Sequence, residues 1–117
     1  MKCIEVISIP VSNQEKAKAF YLKLGFSILA ETSFAEGRQW IQLGLPGAQT
    51  SITLVNWFPQ MPAGCMQGLV IDTSDIKDAV DKLNEQGIAV DTVDDTPWGK
   101  FASFRDPDGN TLSLHQK

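Results

Sequence analysis

The side chains able to do chemistry in this chain are few and widely spaced. One histidine, His115, lies near the C-terminus, and two cysteines, Cys3 and Cys65, lie far apart and outside any C-x-x-C spacing. Asp106 and Asp108 belong to a D-P-D-G segment, where aspartate usually accepts hydrogen bonds from turn amides. No nucleophile elbow, phosphate-binding loop or H-E-x-x-H motif is present. We therefore expect no catalytic residue, and we expect both cysteines to be buried or semi-buried inert thiols.

The composition limits the classes of partner. The chain has 117 residues, of which 43% are hydrophobic, and its net charge is −4. Nucleic-acid binding depends on clustered Lys and Arg, and no such cluster occurs, so we expect no nucleic-acid partner. No stretch approaches the roughly 18 apolar residues that a membrane span needs, so we expect no membrane partner and a soluble, cytoplasmic protein.

An internal repeat predicts the architecture. The segment Ile7–Ser12 leads into a helical pattern that ends at Gly25, and Leu69–Ser74 leads into another that ends at Gly87, with an offset of 62 residues throughout. Apolar side chains recur at helical spacing in both patterns, so each helix has one apolar stripe that should pack on a sheet. The first helix is predicted to begin with a capping box at Ser12, and the second with a cap at Ser74.

Strand-like runs follow each helix. They are 26–30, 39–43 and 51–55 in the first half, and 88–90, 101–104 and 111–115 in the second. The turns before the last strand of each half, Leu45-Pro46-Gly47 and Asp106-Pro107-Asp108-Gly109, align their prolines at an offset of 61. The unit is βαβββ and occurs twice. We predict a single domain, 1–117, with module one at 1–58, a linker at 59–64 and module two at 65–117.

Several segments carry a family resemblance. They are Val11-Ser12-Asn13 before the first helix, Phe20-Tyr21 and Leu24-Gly25-Phe26 in and after it, and the run from Trp98-Gly99 to Asp106-Pro107-Asp108-Gly109-Asn110. With these segments and the repeated unit, the whole chain resembles the vicinal oxygen chelate superfamily, which includes glyoxalase I, extradiol dioxygenases and bleomycin-resistance proteins. The resemblance implies an α+β fold in which two βαβββ modules form a U-shaped mixed sheet around a cavity, with helices outside. It also implies a homodimer and, in the enzymes, one divalent metal held by residues on four strands.

The positions that correspond to those metal ligands carry other residue types here. Relatives usually have His where this chain has Val6, and the mate of Val6 in module two is Gly68. The last ligand, usually Glu, falls on Ser113, whose mate at the 61 offset is Ile52. Divalent ions bind through carboxylates, imidazoles and thiolates, and none of these four residues supplies one. We therefore expect no metal and no cofactor.

Strand alternation predicts which residues line the cavity. The predicted ligand-binding set is mostly apolar, with a few hydroxyls, one amide and one imidazole, as is usual for small-molecule sites. Its members are Val6, Ser8, Trp40, Gln42, Ile52, Leu54, Gly68, Val70, Phe101, Ser103, Ser113 and His115.

Three functions remain open at this point. The leading hypothesis is a metal-free binding protein, similar to the bleomycin-resistance branch, that sequesters or carries a small, partly aromatic ligand. The second is a metal-dependent glyoxalase-like lyase or dioxygenase whose ligands lie elsewhere in the chain. The third is an interaction module with a filled interior, in which Trp40 and Phe101 serve only packing.

Overall fold

The computed structural model describes residues 1–117 and contains eight strands and two helices in the predicted order. The strands are β1 (Val6–Pro10), β2 (Ser27–Ala35), β3 (Arg38–Gly44), β4 (Ser51–Val55), β5 (Leu69–Asp72), β6 (Asp94–Thr96), β7 (Gly99–Arg105) and β8 (Thr111–Gln116). The helices are α1 (Gln14–Lys23) and α2 (Ile76–Glu85). The α+β class and the tandem βαβββ modules are confirmed. Neither helix is long and apolar enough to cross a membrane.

Each module forms its own mixed sheet. The first has the order β1-β4-β3-β2 and the second β5-β8-β7-β6, so β1 and β5 occupy equivalent edges. In both sheets the first strand pairs in parallel with the last strand of its module, and the other pairs are antiparallel. Hydrogen bonding does not continue from β1 to β5, so the strands form two four-stranded sheets rather than one continuous sheet.

Both helices begin one residue later than the sequence predicts. Asn13 caps α1 by accepting a hydrogen bond from the Lys16 amide at 3.0 Å, and Asp75 caps α2 by accepting from the Asp78 amide at 3.1 Å. The predicted capping box at Ser12 is wrong because the Ser12 hydroxyl donates to Asp108 Oδ1 at 2.5 Å instead. The Ser12 hydroxyl, which the sequence predicted would cap α1, is therefore bound by the Asp108 carboxylate of module two.

The second strand of module two is also displaced from its predicted place. The run 88–90 forms only an isolated bridge, Val90 to Phe104, and the regular strand β6 lies at Asp94–Thr96. In module one the equivalent pairs, Ile28 with Leu43 and Thr32 with Trp40, belong to a single strand with register shifts. The two modules thus keep the same pairing, but the strand is interrupted in the second.

One hydrophobic cluster joins the modules. It contains Ile9, Leu43 and Leu54 from the first sheet and Phe104 and Leu114 from the second. Helix α1 packs on β3 and β4, and α2 packs on β7 and β8. Each sheet therefore turns one face toward a shared core, and its other face points away from that core.

A buried polar network also crosses between the modules. The Tyr21 hydroxyl on α1 donates to Asp106 Oδ2 at 2.8 Å, and Asn110 Nδ2 donates to the same oxygen at 2.8 Å and to the carbonyl of Pro10 at 2.8 Å. Burial raises the pKa of the Tyr21 phenol well above its ordinary value, and the charge of Asp106 raises it further. The network fixes the turn between β7 and β8 against the end of β1.

Candidate functional site

The candidate site residues occupy the two sheet faces that point away from the core. We call the outward face of the first sheet the N-face and that of the second the C-face. Strand alternation assigns the predicted residues Val6, Ser8, Trp40 and Gln42 to the N-face. It assigns Val70, Phe101, Ser103, Ser113 and His115 to the C-face. Gly68 directly precedes β5 and lies two residues before Val70, so alternation places it on the C-face as well. Whether these residues bind a ligand stays a prediction at this point.

The predicted placement of Ile52 and Leu54 is wrong. Ile52 pairs with Ile7 and Leu54 with Ile9, and both side chains belong to the hydrophobic core. The N-face residues of β4 are Ser51 and Thr53 instead.

The error has a simple cause in the turns. Residues 45–50 separate β3 from β4, whereas residues 106–110 separate β7 from β8, so the first turn is one residue longer. The offset between modules therefore falls from 61 before the turn to 60 after it, and the mate of Ser113 is Thr53. The alternation of Ser51 and Thr53 with Ile52 and Leu54 is the sequence signal that identifies the outward set.

A chain of hydrogen bonds fixes the polar side chains of the N-face. Trp40 Nε1 donates to Gln42 Oε1 at 3.2 Å, and Gln42 Nε2 donates to Ser51 Oγ at 2.8 Å. Ser51 Oγ in turn donates to the carbonyl of Glu5 at 3.0 Å. Thr53 is only 1% exposed, and its hydroxyl has no partner. The indole of Trp40 is therefore held in one orientation on the N-face.

The C-face carries an aromatic pair and a hydroxyl pair. The rings of Phe101 and His115 are stacked with their centroids 4.3 Å apart and their planes 9° apart. Ser103 Oγ and Ser113 Oγ lie 2.8 Å apart in the next cross-strand row. Val70 is half exposed beside them. This face offers stacking area and hydrogen-bonding groups in neighbouring rows.

No cleft of a single chain is lined by the aromatic residues of both faces. Of its three clefts, the largest measures about 520 Å³ and lies between β1, β4 and β5. Ile52 and Val70 are the only predicted site residues that line it, and Ser51 of the N-face lines it as well. A second cleft of about 360 Å³ lies between α2 and the end of α1, and a third of about 380 Å³ lies beside the β7–β8 turn. None is lined by Trp40, Gln42, Phe101, Ser103 or His115.

The residues at the family's metal positions do not fit a divalent metal. With the corrected register these positions are Val6, Gly68, Thr53 and Ser113. They offer two neutral hydroxyls and no carboxylate, imidazole or thiolate. No group of three or more His, Cys, Asp or Glu side chains converges anywhere in the chain.

The cysteines contribute nothing to either face. Cys3 precedes β1 and Cys65 lies in the connection between β4 and β5, and both are free and exposed. The prediction of buried or semi-buried thiols is wrong because both residues lie outside the regular elements that pack on the core.

Comparison with known proteins gives consistent results. The model of the Glyoxalase/Bleomycin resistance protein/Dioxygenase superfamily matches residues 4–114. The structure is similar to that of TnmS3, an antibiotic binding protein from Streptomyces sp. CB03234, with a TM-score of 0.94 and 45% identity over 99% of this chain and 96% of that chain. A glyoxalase/bleomycin resistance protein from the same Streptomyces is 46% identical with a TM-score of 0.88, over 97% of this chain and all of that one. The uncharacterized protein YwkD of Bacillus subtilis (strain 168) is 35% identical over 128 residues, which cover 100% of this chain and 98% of YwkD.

Proposed function

The chain belongs to the Glyoxalase/Bleomycin resistance protein/Dioxygenase superfamily, and from that premise we propose that it binds a small, partly aromatic molecule without a resident metal. The observation that carries this proposal is the pair of outward faces, each with an aromatic side chain at the equivalent position. Trp40 occupies that position on the N-face, and Phe101 occupies it on the C-face. Similarity to TnmS3, which is an antibiotic binding protein, favours an antibiotic-like ligand.

The cavity proposed for this ligand is completed by a second copy of the chain. No cleft of one chain is lined by Trp40 or Phe101, so neither aromatic side chain lies in an enclosed pocket of a single chain. Small-molecule sites bury most of their ligand's surface, which a single exposed sheet face does not do. An N-face of one chain opposed to a C-face of another would place Trp40 and Phe101 on two walls of the same cavity. The proposed assembly is therefore a homodimer with two such cavities.

Sequestration or carriage fits these faces better than catalysis. The outward positions supply hydroxyls, an amide and one imidazole, with no nucleophile and base in contact and no metal ligands. Stacking on fixed aromatic rings stabilises a bound planar molecule without changing its bonds.

Tryptophan fluorescence tests this function. We expect aromatic antibiotics with fused rings, titrated one at a time, to include at least one that quenches the wild-type emission equally with and without EDTA. Trp40→Ala should remove most of the quenching, and Phe101→Ala should weaken binding about tenfold, because each removes one stacking surface. Trp57→Ala is the matched control, since Trp57 packs on Phe34 and Phe58 and is not one of the site residues. Quenching that survives in Trp40→Ala and Phe101→Ala, or that needs an added metal, would contradict the proposal.

A further inference from the structure

The orientation of the His115 ring is fixed by the backbone beside it. His115 Nε2 lies 2.9 Å from the carbonyl oxygen of Trp98. A carbonyl oxygen only accepts hydrogen bonds, so Nε2 must carry the proton in this contact. In the neutral imidazole the other nitrogen, Nδ1, is then an acceptor, and it has no hydrogen-bond partner in the chain.

Glycine at position 99 makes this orientation possible. A Cβ at Gly99 would lie 2.7 Å from His115 Nε2 and would also overlap the backbone carbonyl of Gln116. Gly99 has φ of +121°, which also disfavours other residue types. Phe101 covers one side of the imidazole by stacking. The ring is therefore clamped, and its acceptor nitrogen is held in place before any ligand arrives.

Two carboxylates share a cross-strand row with this ring pair. Asp94 on β6 pairs with Phe101, Phe101 pairs with His115, and His115 pairs with Asp72 on β5. Side chains in such positions have their Cβ atoms about 5 Å apart. Both aspartates are exposed, and neither belongs to any of the chain's salt bridges. Lys100 pairs with Gln116 in the adjacent row and so points to the other side of the sheet.

From this row we propose that the C-face selects aromatic ligands that bear a neutral hydrogen-bond donor, such as a phenolic hydroxyl, and that His115 Nδ1 accepts that hydrogen bond. This inference rests on the proposed function, since it concerns the same site. The Phe101–His115 pair supplies stacking surface next to the acceptor. Asp72 and Asp94 disfavour anionic ligands at this end by like-charge repulsion.

Three naphthalenes of similar size distinguish the donor from the ring. 2-Naphthol has a neutral donor, 2-methoxynaphthalene has none, and 2-naphthoate carries a negative charge. At about pH 8 we expect 2-naphthol to bind about fivefold tighter than 2-methoxynaphthalene, as one net hydrogen bond provides. We expect 2-naphthoate to bind most weakly. In His115→Phe, which keeps a ring but removes the acceptor, the ratio of the first two affinities should fall to about one.

The control variant is Lys100→Gln, which changes the neighbour of Phe101 on the opposite side of the same strand and should keep the fivefold ratio. A second measurement needs no substitution: the chain has one histidine, so its ¹⁵N spectrum reports a single imidazole. We expect 2-naphthol to shift the Nδ1 resonance while Nε2 stays protonated, and 2-methoxynaphthalene to leave Nδ1 unchanged. Equal binding of both compounds with no Nδ1 shift overturns this inference and leaves the proposed function standing. Failure of every naphthalene and every aromatic antibiotic to bind overturns the proposed function, and this inference with it.

Discussion

Tyr21 is the chain's one tyrosine, and its hydroxyl is committed to a buried carboxylate. Asp106 is 5% exposed and accepts four hydrogen bonds, from the Tyr21 hydroxyl, the Asn110 side chain and the amides of Asp108 and Asn110. The sequence predicts the amide contacts, because aspartate in a D-P-D-G turn usually makes them. It does not predict the tyrosine, which lies 85 residues away and is brought there by the packing of α1. A long-range contact of this kind leaves no local pattern.

The raised pKa of Tyr21 has a consequence for stability at high pH. The unfolded chain releases the phenol proton near pH 10, whereas the folded chain retains it, so the unfolded state gains stability as pH rises above about 10. At about pH 8 the free energy of unfolding of Tyr21→Phe should be about 1–3 kcal/mol below that of the wild type, because the variant leaves a buried carboxylate short of a donor. Above pH 10 this difference should shrink by up to about 1.4 kcal/mol per pH unit.

Urea unfolding of both proteins across this pH range measures that difference, and the near-ultraviolet absorbance of tyrosinate follows the single phenol directly. Tyrosinate should appear only together with unfolding. A phenol that ionises while the protein remains folded would contradict the prediction, as would a difference in stability that does not change with pH.

At the scale of the elements, the connection between β4 and β5 is packed backbone to backbone on the β7–β8 turn. The Met66 amide donates to Asn110 Oδ1 at 3.0 Å, and the Thr111 amide donates to the Met66 carbonyl at 2.9 Å. Gly64 has φ of +88°, and a Cβ there would overlap the carbonyl of Asp108. Gly37 also has a positive φ, +69°, but a Cβ there would meet nothing within 4 Å.

These two glycines form a matched pair for mutation. Gly37→Ala should lower the free energy of unfolding by about 1–2 kcal/mol, the usual cost of a left-handed conformation for a residue with a Cβ. Gly64→Ala should cost at least about twice as much, because the turn must also move away from the linker. The urea concentrations at the midpoint of unfolding measure both costs, provided that the slope of the free energy of unfolding against urea concentration is the same in each variant. Equal shifts for the two variants would mean that the linker is not packed on the turn.

The repeat in the sequence predicts the elements well and their register less well. Both helices and seven of the eight strands lie close to their predicted positions, because apolar spacing together with the cap and turn residues marks them in the sequence. The outward residues of β4 are mispredicted because the β3–β4 turn is one residue longer than the β7–β8 turn. An offset of 61 carried past that turn therefore assigns each β4 residue to the opposite face of the strand. The strand predicted at 88–90 is reduced to the single bridge of Val90, and regular pairing begins only at Asp94. The face of each β4 residue follows from the alternation within β4 itself, whereas an offset carried across a turn of different length assigns the wrong face.

At the scale of the whole molecule, the same logic explains what one sequence could indicate about the site. The predicted residues divide between two faces, and the shared core directs both faces away from itself. Alternation along a strand gives the face of each residue, but it carries no information on which faces oppose each other. The arrangement of the proposed cavity therefore depends on which face of one chain opposes which face of the other. Substitutions placed on separate chains of a dimer test this arrangement.

A heterodimer with one substitution on each chain separates the two possible arrangements. If a cavity combines the N-face of one chain with the C-face of its partner, pairing a Trp40→Ala chain with a Phe101→Ala chain puts both substitutions in one cavity and leaves the other intact. Such a heterodimer, purified through two different tags, should bind one ligand per dimer with wild-type affinity. The mirrored control pairs a wild-type chain with a Trp40→Ala/Phe101→Ala chain, and then each cavity carries one substitution, so binding should be weakened in both. If each cavity lies within a single chain, it carries all the substitutions of that chain. The heterodimer of Trp40→Ala and Phe101→Ala chains should then bind weakly in both cavities. The heterodimer with a wild-type chain should bind one ligand with wild-type affinity.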